Sequence, residues 1–331
     1  MVRIAINGLG RIGRMVYRVA LAQNAPIELV AINDLTDTKT LAHLFKYDSV
    51  HGKLEDLKVS STPDSLIIGG NSIKIFAEKD PEKLPWKALG IDVVVECTGR
   101  FTDRDGASKH LKAGAKKVLI SAPAKNPDFA ILKGVNEHLY DKTKHHIISN
   151  ESCTTNCFAP IVKVIHDNFK VRRGYMVTAH AYTADQVIHD TPHKDLRRAR
   201  AANVSIVPTT SGSDVATGEV IPELHGKLHT MAMRVPVIDG SVVYFIAEVE
   251  KQTNRNEVNN LFKSVSEFHL KGIIQYCEDP IVSVDIIGNP HSSIFDSLLT
   301  EVDGDLVKIV AWYDNEWGYS SRMVDVLQLL V

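Results

Sequence analysis

Cysteine is scarce in this chain, four in 331 residues. So few cannot make the disulfide framework of a small secreted scaffold. Neither sign of charge dominates: 38 basic against 40 acidic residues leave a formal charge of −2. That balance excludes a broadly cationic nucleic-acid binder, though not a local basic patch. No apolar run reaches the ~18 residues of a membrane span. The opening residues, MVRIAINGLG, lack the apolar stretch and small-residue cleavage site of a secretory signal. Internal repeats, low-complexity tracts and long charge blocks are missing too. What is present is ordinary. Hydrophobic residues make up 44%, enough for substantial cores. At domain sizes of about 100–200 residues the length suggests two domains, with three as the alternative. The expectation is a cytoplasmic protein with neither membrane nor nucleic acid as its primary partner. Composition is silent on chemistry, so the placement of the four cysteines carries more weight than their number.

The first 150 residues alternate β-branched runs with helical patterns. Strands are expected at Val2–Asn7, Ile27–Asp34, Ile91–Cys97, Lys117–Ala122 and His146–Asn150, and a helix at Arg11–Gln23. Such alternation implies right-handed βαβ units and a parallel sheet. After residue 150 strands follow strands. Val235–Val249 looks like two strands joined at Ile238–Asp239–Gly240, an Asp–Gly turn signal. Ile281–Ile287, Ser292–Asp296 and Leu306–Tyr313 also read as strands, with helices at Asn256–Phe268 and Trp317–Leu330. The fold class expected is an α/β dinucleotide-binding domain plus an α+β domain with a mostly antiparallel sheet. Pro160 falls inside the helical pattern Cys153–Phe169, which predicts a kink or a lost first turn.

Strand Val2–Asn7 runs into Gly8, Gly10 and Gly13, a GxGxxG that opens a helix. The first glycine permits the tight turn, the second a close approach of pyrophosphate, the third close packing of helix on strand. N–H groups at the helix start face the phosphates. Asp34 ends the next strand, where a carboxylate bonds the adenosine ribose hydroxyls and repels a 2′-phosphate. Leu35 and Thr36 follow it, and no arginine does, which favours NAD over NADP.

The second constellation is SNESCTTNC at Ser149–Cys157. It leaves a strand and opens a helix. The helix N-terminus predicts a lowered thiol pKa for Cys153, the nucleophile candidate, and donors for an oxyanion. Cys157, Cys97 and Cys277 read as buried small residues. No metal site is expected, since there is no CxxC and no second cysteine pair. A thiolate needs a base. Spacing alone cannot choose among fourteen histidines, but His180, near the end of the strand-like run Tyr175–Ala181, is the best placed. Asp190–Arg200 (DTPHKDLRRAR) is the most basic stretch, and its arginines suit either a solvated or subunit-contact loop or phosphate recognition.

NGLGRIGR, SCTTNC, HKDLRRARAA, MRVP and WYDNEWGYS together resemble the phosphorylating glyceraldehyde-3-phosphate dehydrogenase family, from Val2 to the C-terminus. The resemblance implies a homotetramer. It implies a Rossmann domain over 1–151, completed by a C-terminal helix over 316–331, and a catalytic domain over 152–315. Gly8, Gly10, Arg11, Ile12 and Gly13 would then lie along the NAD, with Asp34, Lys79, Thr98, Ser121 and Asn315, and Tyr319 beside the nicotinamide. Cys153 would be the nucleophile and His180 its base and acid. Thr183, Asp185 and Arg234 would hold the phosphate of glyceraldehyde 3-phosphate. Ser152, Thr154, Ser211, Gly212 and Arg198 would bind inorganic phosphate. Pro192 favours NAD in this family. The activity implied is NAD-dependent oxidation of glyceraldehyde 3-phosphate to 1,3-bisphosphoglycerate through a cysteine thioester.

Several positions depart from the family pattern. Glu151 stands two residues before the nucleophile, where a carboxylate would raise the thiol pKa if it faced it. Ala184 replaces an asparagine, Thr191 a leucine. Asp214 and Val215 add an acid and remove a lysine beside the expected phosphate site. Tyr244 replaces a strand aspartate. The nearest rival is erythrose-4-phosphate dehydrogenase, whose acyl-enzyme is hydrolysed by water. The non-enzymatic rival is a degenerate paralogue that binds NAD or RNA.

Overall fold

Val2–Asn7 forms a strand because its β-branched and small side chains are buried on both faces, with Ile4, Ala5 and Ile6 fully enclosed. The structure, a computed structural model, describes all 331 residues. The chain divides into two compact units. The first comprises Met1–Ile131, Glu137–Glu151 and Ser320–Val331; the second comprises Leu132–Asn136 and Ser152–Tyr319.

The first unit is built on a nine-stranded sheet. Val2–Asn7 lies in its middle, parallel to Ile27–Asn33 on one side and to Val93–Glu96 on the other. Lys117–Ile120 and Ile147–Ser149 extend the parallel sheet beyond Val93–Glu96. The strand order therefore reverses at the carboxyl end of Val2–Asn7, the position where doubly wound sheets take their ligands. The helix Arg11–Ala22 follows that strand, burying Met15, Val16 and Val19. Four strands of this sheet escaped the sequence patterns: the two-residue Phe129–Ala130 beside Ile147–Ser149, and Val59–Thr62, Ser65–Ile68 and Asn71–Phe76, an antiparallel edge added through Asn71–Phe76 to Ile27–Asn33. Those of the edge are short and carry polar residues on the exposed face. The end of the helix Trp317–Leu330 also belongs here, with Met323, Val324, Leu327 and Leu330 fully buried.

The second unit is an eight-stranded mixed sheet carrying helices. Most pairings are antiparallel, as expected. The exceptions are Val171–Ala181 with Leu228–Val235, and Ile274–Cys277 with Ser293–Asp296. Of the two strands expected within Val235–Val249, only Ser241–Val249 lies there; the strand before it, Leu228–Val235, ends where the first was expected to begin, and the two do not form a hairpin. Leu228–Val235 and Ser241–Val249 instead flank Val171–Ala181 on opposite sides. Gly240, at φ +86°, makes that passage, where a Cβ would collide with the carbonyl of Ser283.

Two expectations fail. Ile281–Ile287 is no strand; Ser283–Ile286 is a short 3-10 turn. Its polar groups close locally, the Asp285 carboxylate accepting the Val282 N–H at 2.8 Å. Val282 and Val284 point to solvent, so no core rewards an extended run. Nor does Pro160 cost the helix its first turn. The helix is continuous over Cys153–Phe169. Ser152 caps it, its hydroxyl accepting the Thr155 N–H at 3.0 Å. The hydrophobic core encloses nearly all of it, including Phe158 packed edge-on against Phe245. That burial outweighs one missing hydrogen bond.

Candidate active site

The glycine turn shows a separate physical reason for each glycine. Gly8 sits at φ +91°, and a Cβ there would stand 2.9 Å from the Thr98 backbone nitrogen. A Cβ on Gly13 would collide with the Gly8 carbonyl oxygen. A Cβ on Gly10 would meet nothing within 4 Å, so this face of the turn is open for a ligand. Gly10 is also the N-cap of Arg11–Ala22, without a side-chain cap and without an acid in the first turn. An anion is thus favoured there. Asp34 lies just past its strand, its carboxylate accepting the Leu9 N–H at 2.8 Å and the Thr36 N–H at 2.9 Å. The Arg11 side chain is bonded to Asp48. Burial would raise the Asp48 carboxyl, but the His51 and Val50 N–H groups and Arg11 outweigh it and hold it down at about 2. These residues fit a dinucleotide: an open glycine, an uncapped helix start and a carboxylate beside it.

Behind the turn lies a buried polar network that the motif does not reveal. Asn33, Asn7 and Glu96 stand side by side across three parallel strands. Asn33 donates to the Asn7 side-chain oxygen at 2.7 Å, and Asn7 donates to Glu96 at 2.6 Å. His110 completes it. Trp86 can only donate, so its bond of 3.1 Å makes His110 Nδ1 the acceptor and leaves Nε2–H to face Glu96 at 3.2 Å. Glu96 also accepts the Thr98 N–H at 2.8 Å and the Thr98 hydroxyl. The network thereby fixes Thr98, one of the expected NAD contacts. Its signal in the sequence is a polar residue closing each buried strand run.

In the second unit the strand Val171–Ala181 directs alternate residues to one face. Met176, Thr178 and His180 are buried there. His180 Nε2 stands 3.3 Å from Cys153 Sγ at the first turn of the helix. Arg234 is the register partner of His180 on the neighbouring parallel strand. Its Nη1 lies 2.7 Å from His180 Nδ1 and 3.2 Å from the Ala181 carbonyl oxygen. Tyr313, which the motif spacing did not single out, holds the pocket from behind. Its hydroxyl is 2.9 Å from those of both Thr154 and Thr178, and its ring meets His180 edge-on.

The electrostatics correct one expectation. The Cys153 thiol is raised, not lowered: burial pushes it up and outweighs the Arg234 charge and the Thr154 hydrogen bonds, while Asp239 adds to the rise. Burial, with the charge of Arg234, pushes His180 down to about 3. Burial thus works against charge on either partner, and the Arg234 charge favours the thiolate but opposes the imidazolium. Glu151 accepts the Ser149 hydroxyl at 3.0 Å, and Asp239 adds a smaller contribution to the rise of the thiol.

The expected phosphate residues fall into separate groups. Ser152 joins Thr155, whose hydroxyl donates to Ser213 at 3.2 Å; Ser211 also donates to Ser213 at 3.2 Å. Gly212 precedes the helix Ser213–Val220 as its N-cap. Thr154 turns its hydroxyl away, to Tyr313. Thr183 and Asp185 lie in one turn with Gln186, and Asp185 pairs with Arg198. Arg198 faces Asp195 as well, at 3.4 Å, and Arg200 pairs with Asp190 at 2.8 Å. Arg234 has no carboxylate partner, and its Nε is buried without a hydrogen bond. Ser121 donates its backbone N–H to Glu96, and Asn315 accepts the Ser241 hydroxyl at 2.7 Å. Asp214 occupies the first turn of Ser213–Val220, and Ala184 and Val215 are exposed.

Residues 2–104 match the NAD binding domain of glyceraldehyde 3-phosphate dehydrogenase, and residues 152–315 match its C-terminal domain. The chain belongs to the glyceraldehyde-3-phosphate dehydrogenase family. It is 58% identical over 326 residues to the glyceraldehyde-3-phosphate dehydrogenase of Geobacillus stearothermophilus, covering 98% of this chain and 97% of that one. It is 54% identical over 327 residues to that of Streptomyces coelicolor, with the same coverage. It is 53% identical over 326 residues to glyceraldehyde-3-phosphate dehydrogenase 1 of Bacillus subtilis, again over 98% and 97%. An NAD-dependent oxidoreductase, a Rossmann-type first domain and NAD as cofactor follow from these matches. No helix is long and apolar enough to cross a membrane.

Proposed function

We propose that the protein oxidises glyceraldehyde 3-phosphate with NAD and inorganic phosphate to 1,3-bisphosphoglycerate. The observation that carries this reading is Cys153 Sγ at 3.3 Å from His180 Nε2, with an arginine that no carboxylate neutralises beside the pair. His180 takes the thiol proton, and the thiolate adds to the aldehyde carbon. The proton returns to the oxygen of the hemithioacetal. His180 takes it again as hydride leaves that carbon, and a thioester on Cys153 results. NAD supplies the hydride acceptor when bound. Phosphate displaces the thiolate to give the acyl phosphate, and Cys153 is regenerated.

In this reading Gly8, Gly10, Arg11, Ile12 and Gly13 hold the dinucleotide. Asp34, Lys79, Thr98, Ser121, Asn315 and Tyr319 complete its site. Arg234, Thr183 and Asp185 take the substrate phosphate. Ser152, Ser211 and Gly212 take inorganic phosphate, with Thr154 and Arg198. Thr154 acts there through its backbone, since Tyr313 engages its hydroxyl. Arg198 serves only by releasing Asp185. The domains are 1–151 with 316–331, and 152–315. A homotetramer is supported by apolar side chains left in solvent: Tyr175, Tyr244 and Ile246 on one sheet face, Leu196 and Ile206 in loops, and Val204 at the end of the 3-10 turn Ala202–Val204. Action in the cytoplasm is part of the same proposal, and four free cysteines suit a reducing compartment.

The test is steady-state NADH formation with purified protein, NAD and each aldehyde, with and without phosphate. Glyceraldehyde 3-phosphate with phosphate gives the fast reaction. Equal rates without phosphate mean hydrolysis of the acyl-enzyme and end the phosphorylating reading. A preference for erythrose 4-phosphate assigns the sister activity.

A further inference from the structure

The donors around Glu96 all point inward. Its Oε1 takes the Thr98 N–H at 2.8 Å and the Thr98 hydroxyl. Its Oε2 takes the Asn7 amide at 2.6 Å and faces His110 Nε2 at 3.2 Å. Each direction is fixed at a far end. On one side the Glu78 peptide orients Asn33: its N–H gives to Oδ1 at 2.8 Å and its carbonyl accepts from Nδ2 at 2.9 Å. Asn33 Nδ2 therefore donates to Asn7 Oδ1, and Asn7 is left to donate to Glu96. On the other side the Trp86 indole, a donor only, leaves the His110 proton on Nε2. Neither amide can turn over, and the imidazole cannot reverse, without putting two donors face to face. Four donors thus converge on two buried oxygens, a demand that only an ionised carboxylate meets. No lysine or arginine pairs with it.

Asn7 and Glu96 are register partners that close neighbouring parallel strands. The turns that follow them, residues 8–10 and 98–100, are the two walls of the crevice at the switch point. Thr98 joins those walls. Its hydroxyl is spent inward, giving to Glu96 and accepting the Arg100 N–H at 3.0 Å. Its methyl group and backbone nitrogen come so close to Gly8 that a Cβ there would stand 2.9 Å from each. We propose that Glu96 is a positioning residue for the dinucleotide: its carboxylate sets the 98–100 wall against the glycine turn before the cofactor arrives, and only the charged form does so. This rests on the site proposed above, in which Thr98 meets the NAD. An amide at position 96 has the same size but turns N–H groups toward Asn7 and His110, two donors that cannot yield. It relieves them only by moving, and Thr98 moves with it. The remedy lies one strand away. A carboxylate at position 7 accepts from Asn33 as Asn7 does, and accepts from the amide at 96 where Asn7 donated. His110 Nε2, 3.4 Å from that same atom, finds there the acceptor it lost. Asn7→Asp combined with Glu96→Gln therefore satisfies the network with the same single charge, moved by one strand across the sheet.

The experiment compares whole wild-type enzyme with Glu96→Gln, Asn7→Asp and the two combined. Calorimetry finds NAD affinity about tenfold lower in Glu96→Gln, the scale of one hydrogen bond to a charged group. In turnover the KM for NAD rises while kcat at saturating NAD does not follow. Asn7→Asp alone, which sets two carboxylates in contact, also binds NAD weakly. The combined variant recovers most of the affinity. Unchanged affinity in Glu96→Gln overturns the inference, and so does a combined loss equal to the two single losses added in free energy. Hydrogen exchange on cofactor-free wild type supplies an arm that needs no variant to fold. The Thr98 and Arg100 amides, bonded to Glu96 and to the Thr98 hydroxyl, are protected before NAD is added. Exchange as fast as in an open loop, slowed only by NAD, overturns the preset wall. If wild type binds no NAD, the cofactor site itself fails; if it binds NAD and Glu96→Gln binds it equally well, only the positioning role fails.

Discussion

The glycine turn and the thiol pocket both offer polar groups to an anionic ligand, but they are made of different material. The turn is backbone. Its N–H groups come from consecutive residues, and side chains matter mostly by being absent at Gly8, Gly10 and Gly13. The pocket is side chain. Cys153, His180, Arg234 and Tyr313 come from a helix and three strands, and register alone brings them together. A site of the first kind tolerates no added atom. A site of the second kind tolerates no lost partner.

The sharpest break is at the thiol. Cys153→Ala abolishes NADH formation while calorimetry finds NAD affinity unchanged; residual turnover would remove Cys153 from the chemistry. The glycines provide the matching break. Gly13→Ala forces a Cβ into the Gly8 carbonyl and destabilises the first unit by about 3 kcal/mol, the range of overpacking. Gly10→Ala leaves the melting temperature unchanged but weakens NAD binding, since its Cβ points into open space. Equal melting temperatures for the two variants would show that the turn is not close-packed.

The pocket's dependence on buried partners predicts an unusual pH effect. Burial, with Asp314 and Glu316 nearby, holds the Asp239 carboxyl well above the ordinary carboxyl range. A raised folded-state pKa means that the folded chain binds the proton more tightly than the unfolded one. Its contribution to stability is full below about pH 4, the unfolded carboxyl value, and is lost as pH rises through the folded value. Asp239→Asn escapes that loss. Denaturant titrations should find it more stable by roughly 1–3 kcal/mol at neutral pH, with the gap closing by pH 4. A gap that does not change with pH would refute the protonated state.

The smaller effects test the pocket's margins. Tyr313→Phe removes one hydroxyl from two buried threonines and costs about 1–2 kcal/mol. No loss would mean that the threonines find other partners. Glu151→Ala leaves the pH profile of Cys153 alkylation unchanged, since the Glu151 carboxylate is turned to the Ser149 hydroxyl. A profile shifted to lower pH would bring Glu151 back.

This contrast also explains what was legible. The glycine turn could be read because its parts are contiguous and each local choice has a local reason. The parallel strands beside it were visible for the same reason: a buried run such as VRIAIN needs no partner to be recognised. Asn71–Phe76 and its two neighbours were missed because their apolar residues are too few to set a period. Ile281–Ile287 misled because β-branched residues signal a strand only where a sheet receives them, and Val282 and Val284 face solvent. Cys153 stood out by its place at a helix start, yet the raised thiol did not, because burial is a property of the assembled core. His180 came forward on its strand, but its pairing with Arg234 depends on parallel register between distant segments. Tyr313 lay inside a motif that was recognised, and its role still required three dimensions.

The last helix has a consequence for how this protein comes into being. Ser320–Val331 belongs with the first unit, and the Lys142 ammonium donates to the backbone oxygen of Val331 at 2.7 Å. On the ribosome that unit's sheet emerges before the second unit, but the side chains of Met323, Val324, Leu327 and Leu330 arrive only after it. A nascent chain halted before them holds its dinucleotide turn on an unfinished core, so the cofactor domain is begun before the second unit and is complete only after it.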